Sequence, residues 1–364
     1  DFVTAQQDFA LKVFTVEAEK HQGNLNMSPY SLSFCLSIVA GGAEGDTLSQ
    51  FEKVLMNGMR KEQWNNNMYN YLHQNKNFLT QADSLWIAKS ESNVKKSFLQ
   101  NVLGNFNASV YYINFGSDNA VNEVNNWVKE KTEGKIQSVV DKLDNNTAMY
   151  TADAVYMNLS WATTHREVDV KEEKFTCVNG EKSTVKMMYS TVSADKQAYI
   201  SDESVEGFIK DCNGGYKFVA LMPKEGIDIK EFITLLNGTK LRNIMTDAQK
   251  TTVKTGMPYF TVENHIDFKE TLIKMGIKNA YNASSADFSG ILDDNTLYMG
   301  ETTQKSYINV DISGICAASA AGQEVVYMSS VPVEEKTVVL NRPFVYVIVD
   351  ENAIPIFIGT VTML

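Results

Sequence analysis

The order of two hydrophobic patterns constrains the fold of this chain more than any other feature of the sequence. Apolar residues near the N-terminus recur at helical spacing, as at Phe9, Val13 and Val16, which places them on one helix face. Beyond Gly134 the pattern changes to runs rich in Val, Ile, Phe and Tyr, which predict strands. These runs span residues 153–161, 216–223, 336–340, 342–350 and 354–361. Helices followed by mostly strands favour an α+β fold over alternating βαβ units.

Two early helices have readable ends. Ser28 is a suitable N-cap, and Pro29 suits the first helical position, where a missing N–H loses no hydrogen bond. The pair Gly41 and Gly42 is expected to end this helix. A second amphipathic helix is predicted within residues 121–136.

Length, composition and charge bound the class of protein. The 364 residues, 44% of them apolar, can bury a large core. No linker-like segment and no repeat interrupts them, which predicts one domain spanning residues 1–364. The net charge of −11 argues against a nucleic-acid partner, because phosphates require a basic face. No stretch approaches the ~20 continuous apolar residues of a transmembrane helix, so no membrane partner is expected.

Motifs that would carry catalysis or hold a cofactor are missing from the sequence. The 4 histidines have no HxxxH spacing, the 4 cysteines form no CxxC pair, and no GxSxG elbow occurs. Residues 41–46, GGAEGD, lack the Lys-Ser/Thr of a phosphate loop and predict a helix stop. We therefore expect no enzyme activity, no metal site, no cofactor, and cysteines that are free thiols.

The segment 314–331, GICAASAAGQEVVYMSSV, is unusual because small residues precede β-branched and aromatic ones. Glu324 is its only charge, and the segment is too short to cross a membrane. Its second half has the composition of a strand, yet further strand-like runs follow closely. A long segment that stays competent to form a strand therefore needs an explanation.

Motifs along nearly the whole chain resemble those of the serpin family, and they occur in the family's order. They are NLNMSPYSLSFCLSIVAGGAEGDT (24–47), NNWVKEKTEGKI (125–136), ADAVYMNLSW (152–161), MPYFTVE (257–263), LIKMGIKNAYNASSADFSGI (272–291), NRPFVYVIV (341–349) and FIGTV (357–361). The resemblance implies three β-sheets, about nine helices and an exposed reactive-centre loop, here within residues 314–335.

The resemblance also implies a mechanism. In serpins a protease cleaves the loop as a substrate and stays joined to it as an acyl ester. The protease is then carried away as the loop inserts into the large sheet. The chain is thus expected to be a monomeric suicide-substrate inhibitor whose partner is a serine protease, held in a covalent complex.

Counting from the hinge glycine places the reactive bond. In the family the acyl-side residue commonly lies fourteen positions after this glycine, which from Gly314 gives Met328 and a scissile bond Met328–Ser329. Methionine is apolar and adaptable, and suits the primary pocket of chymotrypsin-like, elastase-like or cathepsin-G-like proteases. The loop residues expected to contact the protease are Val325, Val326, Tyr327 and Ser330.

The hinge that would enter the sheet is small and uncharged. It comprises Gly314, Ile315, Cys316, Ala317, Ala318, Ser319, Ala320 and Ala321. Side chains of an inserted strand alternate between faces, so the inward set from Ile315 is Ala317, Ser319, Ala321, Gln323 and Val325. None of these is charged, and Glu324 would point outward, so insertion buries no unpaired charge.

Three hinge residues depart from the inhibitory pattern. Inhibitors usually carry Glu-Glu before the hinge glycine and Thr or Ser after it, whereas this chain has Ile312, Ser313 and Ile315. Slower insertion would let the ester hydrolyse. A non-inhibitory serpin, acting as a carrier or chaperone, is therefore an alternative, as is an enzyme whose catalytic residues meet only in space.

Four residues correspond to the family's shutter and breach beneath the large sheet: Ser28, Asp153, Trp161 and Gln304. Ser28 and Trp161 match the family, whereas Asp153 and Gln304 stand where the family typically has Asn and His. An ionised Asp153 could accept a hydrogen bond from the Gln304 amide, or the two residues could merely fill their sites.

The sequence gives little sign of heparin control or of a compartment. Residues 60–78 carry only Arg60, Lys61 and Lys76 as cations, so no polybasic helix and no heparin partner are expected. N-glycosylation sequons weakly favour a secreted protein but leave the compartment open. They begin at Asn107, Asn145, Asn158, Asn237 and Asn282.

Overall fold

The computed structural model describes residues 1–74, 79–91, 93–163, 165–192, 197–293, 296–315 and 336–364, with the backbone only at 79–82, 153–156 and 191–192. Within these residues the α-helices are α1 (Phe2–Lys20), α2 (Pro29–Ala40), α3 (Gly45–Val54), α4 (Lys61–Leu72), α5 (Lys96–Asn105), α6 (Ala120–Lys131), α7 (Ile229–Leu235), α8 (Gly238–Asp247) and α9 (Lys269–Met275). None of these helices is both long enough and apolar enough to cross a membrane.

Most of the strands lie in the second half of the chain, as the sequence predicts. They are β1 (Leu25–Met27), β2 (Leu79–Ala88), β3 (Ser109–Ile113), β4 (Met149–Met157), β5 (Leu159–Ser160), β6 (Val170–Thr176), β7 (Lys182–Val192), β8 (Gln197–Ser201), β9 (Val205–Asp211), β10 (Lys217–Pro223), β11 (Gln249–Lys250), β12 (Val253–Pro258), β13 (Phe260–Asp267), β14 (Thr303–Asp311), β15 (Gly314–Ile315), β16 (Lys336–Val339), β17 (Phe344–Val349) and β18 (Pro355–Val361). The α+β fold class is confirmed.

The described strands form four hydrogen-bonded sheets, where the resemblance implies three. The largest has the order β1-β18-β17-β10-β9-β8-β11, and a second has the order β16-β12-β7-β6. A third contains β13-β14-β15-β5, and β3-β2-β4 make a group of their own. The third sheet matters most for function because β15 is the start of the hinge.

The ends of α2 show how local sequence signals become structure. The Ser31 backbone N–H donates to Ser28 Oγ over 3.2 Å, and Pro29 is the first helical residue, as predicted. The helix ends at Ala40 with Gly41 as its C-cap. A Cβ atom on Gly42 would lie 2.1 Å from Ile291 Cγ1, so glycine is required for this close approach.

Contacts divide the chain into two compact units. The first comprises residues 1–13, 28–156 and 265–305, and the second comprises 14–27, 157–264 and 306–364. In the first, the Trp86 and Tyr111 rings stack at 4.6 Å and Trp127 meets Trp86 edge-on. The core of the second surrounds strands β17 and β18, whose residues are all buried. The single domain inferred from the sequence stays a prediction.

Candidate functional site: the hinge and the strands beside it

The start of the hinge is already a strand. Strand β14 ends at Asp311, and a two-residue turn leads into β15, so that Val310 pairs with Ile315 and Asp311 with Gly314. On its other side β15 pairs antiparallel with β5. The Ser313 backbone N–H donates to Asp311 Oδ1 over 2.8 Å, which fixes the turn. Two hinge residues therefore lie inside a sheet, between β14 and β5.

Gly314 has no room for a side chain. Its φ is +146°, and a Cβ atom there would lie 2.0 Å from the backbone oxygen of Leu159. Any other residue would have to push β5 away from β15. In the sequence Gly314 serves only as the residue from which the reactive bond is counted. The structure shows why this position requires glycine.

Ile315, the residue that departs from the family's Thr or Ser, fits at its position. Its side chain is 1% exposed, and its two strand partners, Leu159 and Val310, are each 0% exposed. A β-branched apolar side chain suits this buried, pleated surface. The bulk of Ile315 is thus accommodated within the sheet.

Trp161 anchors the end of β14, close to the hinge turn. Its indole Nε1–H donates to the Asp311 carbonyl oxygen over 2.9 Å. The ring is 1% exposed, and it meets the Phe218 ring edge-on at 5.7 Å. A single bridge to Cys212 ties its backbone to the strand region that follows β9. Trp161 therefore fixes the strand from which the hinge departs.

Two of the predicted shutter residues meet through a reciprocal pair of hydrogen bonds. The Ser28 backbone N–H donates to Gln304 Oε1 over 2.8 Å, and Gln304 Nε2 donates to the Ser28 carbonyl oxygen over 2.9 Å. Asp153 lies in β4, but its side chain is outside the described residues, so its contact with Gln304 stays a prediction.

A cluster of charged side chains that the sequence did not predict lies near the start of β14. Lys305 Nζ donates to Asp141 Oδ1 over 2.6 Å and to Ser138 Oγ over 3.0 Å. His265 Nδ1 lies 3.5 Å from Asp141 Oδ2. The hydrogen bond from Lys305 lowers the pKa of Asp141. No spacing rule relates residues this far apart in the chain, so no sequence signal could have paired them.

The remaining predicted site residues lie outside the described residues. They are Cys316, Ala317, Ala318, Ser319, Ala320, Ala321, Val325, Val326, Tyr327, Met328, Ser329 and Ser330. Among the side chains that are described, no group of three or more His, Cys, Asp and Glu is arranged to hold a metal ion. The three described cysteines, Cys35, Cys177 and Cys212, are free thiols.

Comparisons with known proteins agree with one another. A family model described as serpin (serine protease inhibitor) matches residues 4–364. Leukocyte elastase inhibitor A of Mus musculus is 28% identical over 360 residues, which cover 93% of each chain. Serpin I2 of Homo sapiens is 25% identical over 374 residues, which cover 98% of this chain and 90% of that protein.

Solved structures give the same answer. Tengpin, a thermophilic serpin, in its native state superposes with a TM-score of 0.90 at 34% identity, covering 100% of this chain and 94% of that one. In its latent state the TM-score is 0.86 at 31% identity, covering 100% and 98%. The fold, the ordered motifs and the family match lead to one conclusion. The chain belongs to the serpin family.

Proposed function

We propose that this serpin is a suicide-substrate inhibitor of chymotrypsin-like, elastase-like or cathepsin-G-like serine proteases, with Met328–Ser329 as the reactive bond. The protease serine Oγ attacks the Met328 carbonyl carbon, and the bond to the Ser329 nitrogen breaks. The new amine leaves with a proton from the protease histidine, and an ester joins the protease to Met328. Insertion of the freed loop into the sheet then traps this ester before water hydrolyses it.

The observation that carries the proposal is the position of β15 between β14 and β5. A hinge that already occupies the sheet has its direction and register set before any protease arrives. Continuing the antiparallel register, in which Ile315 faces Val310, would place residues 316–322 opposite residues 309–303 of β14. Strand β14 therefore offers a template for the next seven loop residues.

The burial pattern of β14 matches the alternation of the hinge. Ala317 and Ser319 would face Ile308 and Ser306, which are 1% and 6% exposed. By contrast, Ala318 would face Tyr307, which is 45% exposed. Two inward hinge positions, Ala317 and Ser319, thus meet buried residues, and both are uncharged.

The free energy of pairing favours insertion. Nine residues form β14, and two already pair with β15, which leaves seven for the loop. At about one ladder hydrogen bond per residue and about 0.5–1.5 kcal/mol net for each, insertion gains about 4–10 kcal/mol. That range is comparable to the whole stability of an ordinary domain, about 5–15 kcal/mol.

Two further observations support inhibition. Ile315 is already buried within the sheet, so its departure from the family does not block entry of the hinge. A relative, leukocyte elastase inhibitor A, is by name an inhibitor of an elastase, a protease class whose primary pocket suits Met328.

Incubation with elastase, chymotrypsin and a cathepsin-G-like protease, followed by denaturing gel electrophoresis, tests the proposal. We expect a covalent band that survives SDS, and little of it with trypsin, whose acidic pocket suits methionine poorly. Cleavage of the loop without a covalent band would instead identify a non-inhibitory serpin. If the chain stays uncleaved and the proteases stay fully active, the proposed reactive bond is contradicted.

A further inference from the structure

A buried cation lies against Trp161 in the second unit. Lys210, in β9, is 2% exposed, and its Nζ lies 5.4 Å from the centroid of the Trp161 ring. This is the geometry of a cation–π contact. A ring face satisfies none of the three N–H donors of the ammonium, and Nζ has no hydrogen-bond partner among the residues that the structure describes.

Two more buried polar atoms are unpartnered within the same described residues: Thr163 Oγ1 and His165 Nε2, which follow Trp161 in the chain by two and four residues. The His165 ring meets the edge of Trp161, with 6.2 Å between ring centroids. Its Nδ1 lies 3.2 Å from the Tyr189 carbonyl oxygen, which can only accept, so Nδ1 carries the hydrogen. In the neutral ring Nε2 is therefore a bare acceptor.

The titratable groups beside Lys210 offset its positive charge only in part. Burial lowers the pKa of Lys210 to about 8 and attraction from Asp211 acts in the opposite direction, so the amine stays mostly charged at neutral pH. Burial also lowers the pKa of His165 to about 3, which leaves that ring neutral. The Cys212 thiol, whose pKa burial raises to about 12, stays protonated.

We propose that the cluster of Lys210, Thr163 and His165 binds a small monovalent anion of the halide class. A buried ammonium without a hydrogen-bonded partner is strongly unfavourable, and an anion accepting from Lys210 Nζ and Thr163 Oγ1 would remove that penalty. In the occupied site a second N–H of Lys210 would turn to donate to His165 Nε2, which is unpartnered in the part of the chain that the structure describes. Because Trp161 holds the end of β14, the ion would sit beside the residue that anchors the strand preceding the hinge.

A thermal titration tests this site without reference to protease inhibition. Unfolding temperatures are measured in sodium chloride and in sodium gluconate at one fixed ionic strength, since gluconate is too large for a buried site. We expect chloride to raise the unfolding temperature saturably, by about 2–4 °C. The Lys210→Met variant should show no difference between the two salts, whereas Lys254→Met, at an exposed lysine of β12, should behave as the parent.

A second variant and a direct measurement make the outcome decisive. If Lys210→Met fails to fold, Thr163→Val should raise the chloride concentration at half-saturation about tenfold. Crystals grown in sodium bromide should show an anomalous peak next to Lys210 Nζ. A parent protein indifferent to chloride, an equal chloride effect in Lys210→Met, or a water molecule alone at the cluster would overturn the proposal.

Discussion

A matched pair of arginine substitutions separates loop insertion from protease recognition. In the register set by β15, position 317 would face Ile308, which is 1% exposed, and position 318 would face Tyr307, which is 45% exposed. Ala317→Arg therefore forces a guanidinium under the sheet, whereas Ala318→Arg adds the same group one residue along on the outer face. Both variants leave the residues next to Met328 unchanged.

The size of the effect follows from the environment of Ile308. Burying a charge without a partner costs about 3 kcal/mol or more in a protein interior. Because about 1.4 kcal/mol corresponds to a tenfold change, insertion past position 317 should slow by roughly 100-fold. Hydrolysis of the acyl ester is chemistry within the protease and keeps its rate. The ester should therefore be hydrolysed in most encounters with Ala317→Arg and trapped in most encounters with Ala318→Arg.

The assay counts how many inhibitor molecules one protease molecule consumes, with gels and intact mass measured on the same samples. We expect both variants to be cleaved at one bond, with the covalent band lost only in Ala317→Arg. Circular dichroism and unfolding temperatures before cleavage should match the parent for both. Equal covalent yields from the two variants would refute the inward assignment of position 317, and with it the register on which the mechanism depends.

Four further expectations can be checked separately. Sequencing of the small fragment released by elastase should read Ser-Ser-Val-Pro, because cleavage follows Met328; a fragment that begins at Met328 itself would contradict the count from the hinge. Cleaved protein should unfold at a higher temperature than intact protein, since the freed strand gains about 4–10 kcal/mol; an unchanged or lower temperature would argue against insertion. The parent should unfold at a higher temperature than Asp141→Asn, and this difference should have its full size above pH 3.8, the ordinary pKa of the carboxyl. The difference should vanish as the pH falls through the lowered pKa of Asp141 in the folded protein, and a difference independent of pH would contradict the ion pair with Lys305. Gly314→Ala should speed amide hydrogen exchange in β15 and β5, whereas Gly104→Ala, in an open helical position, should not; equal protection in both would remove the steric role of Gly314.

The fold could be predicted from the sequence because its signals are local or collinear. Ser28 and Pro29 mark a helix start within two residues, and the motif order carries the family assignment. Burial was not predictable from the same signals. Lys210 lies in the strand segment EGFIKDC, where a lysine is expected to face solvent. Its side chain is nevertheless 2% exposed and lies against the Trp161 ring. The pairing of Lys305 with Asp141 likewise depends on tertiary contacts that no local pattern encodes.

The hinge shows how few contacts are needed to specify a large rearrangement. A slip of one residue in β15 would turn Cys316, Ala318 and Ala320 inward and leave Ala317 outside, because side chains alternate along a strand. Gly314 opposes such a slip, since only a residue without Cβ fits 2.0 Å from the Leu159 oxygen. The buried side chain of Ile315 opposes it as well, because the slip would move that side chain to the exposed face. The departure from the family at position 315 therefore supports insertion. Ile315 already lies within the sheet before cleavage, and its buried side chain fixes the register for every residue that follows.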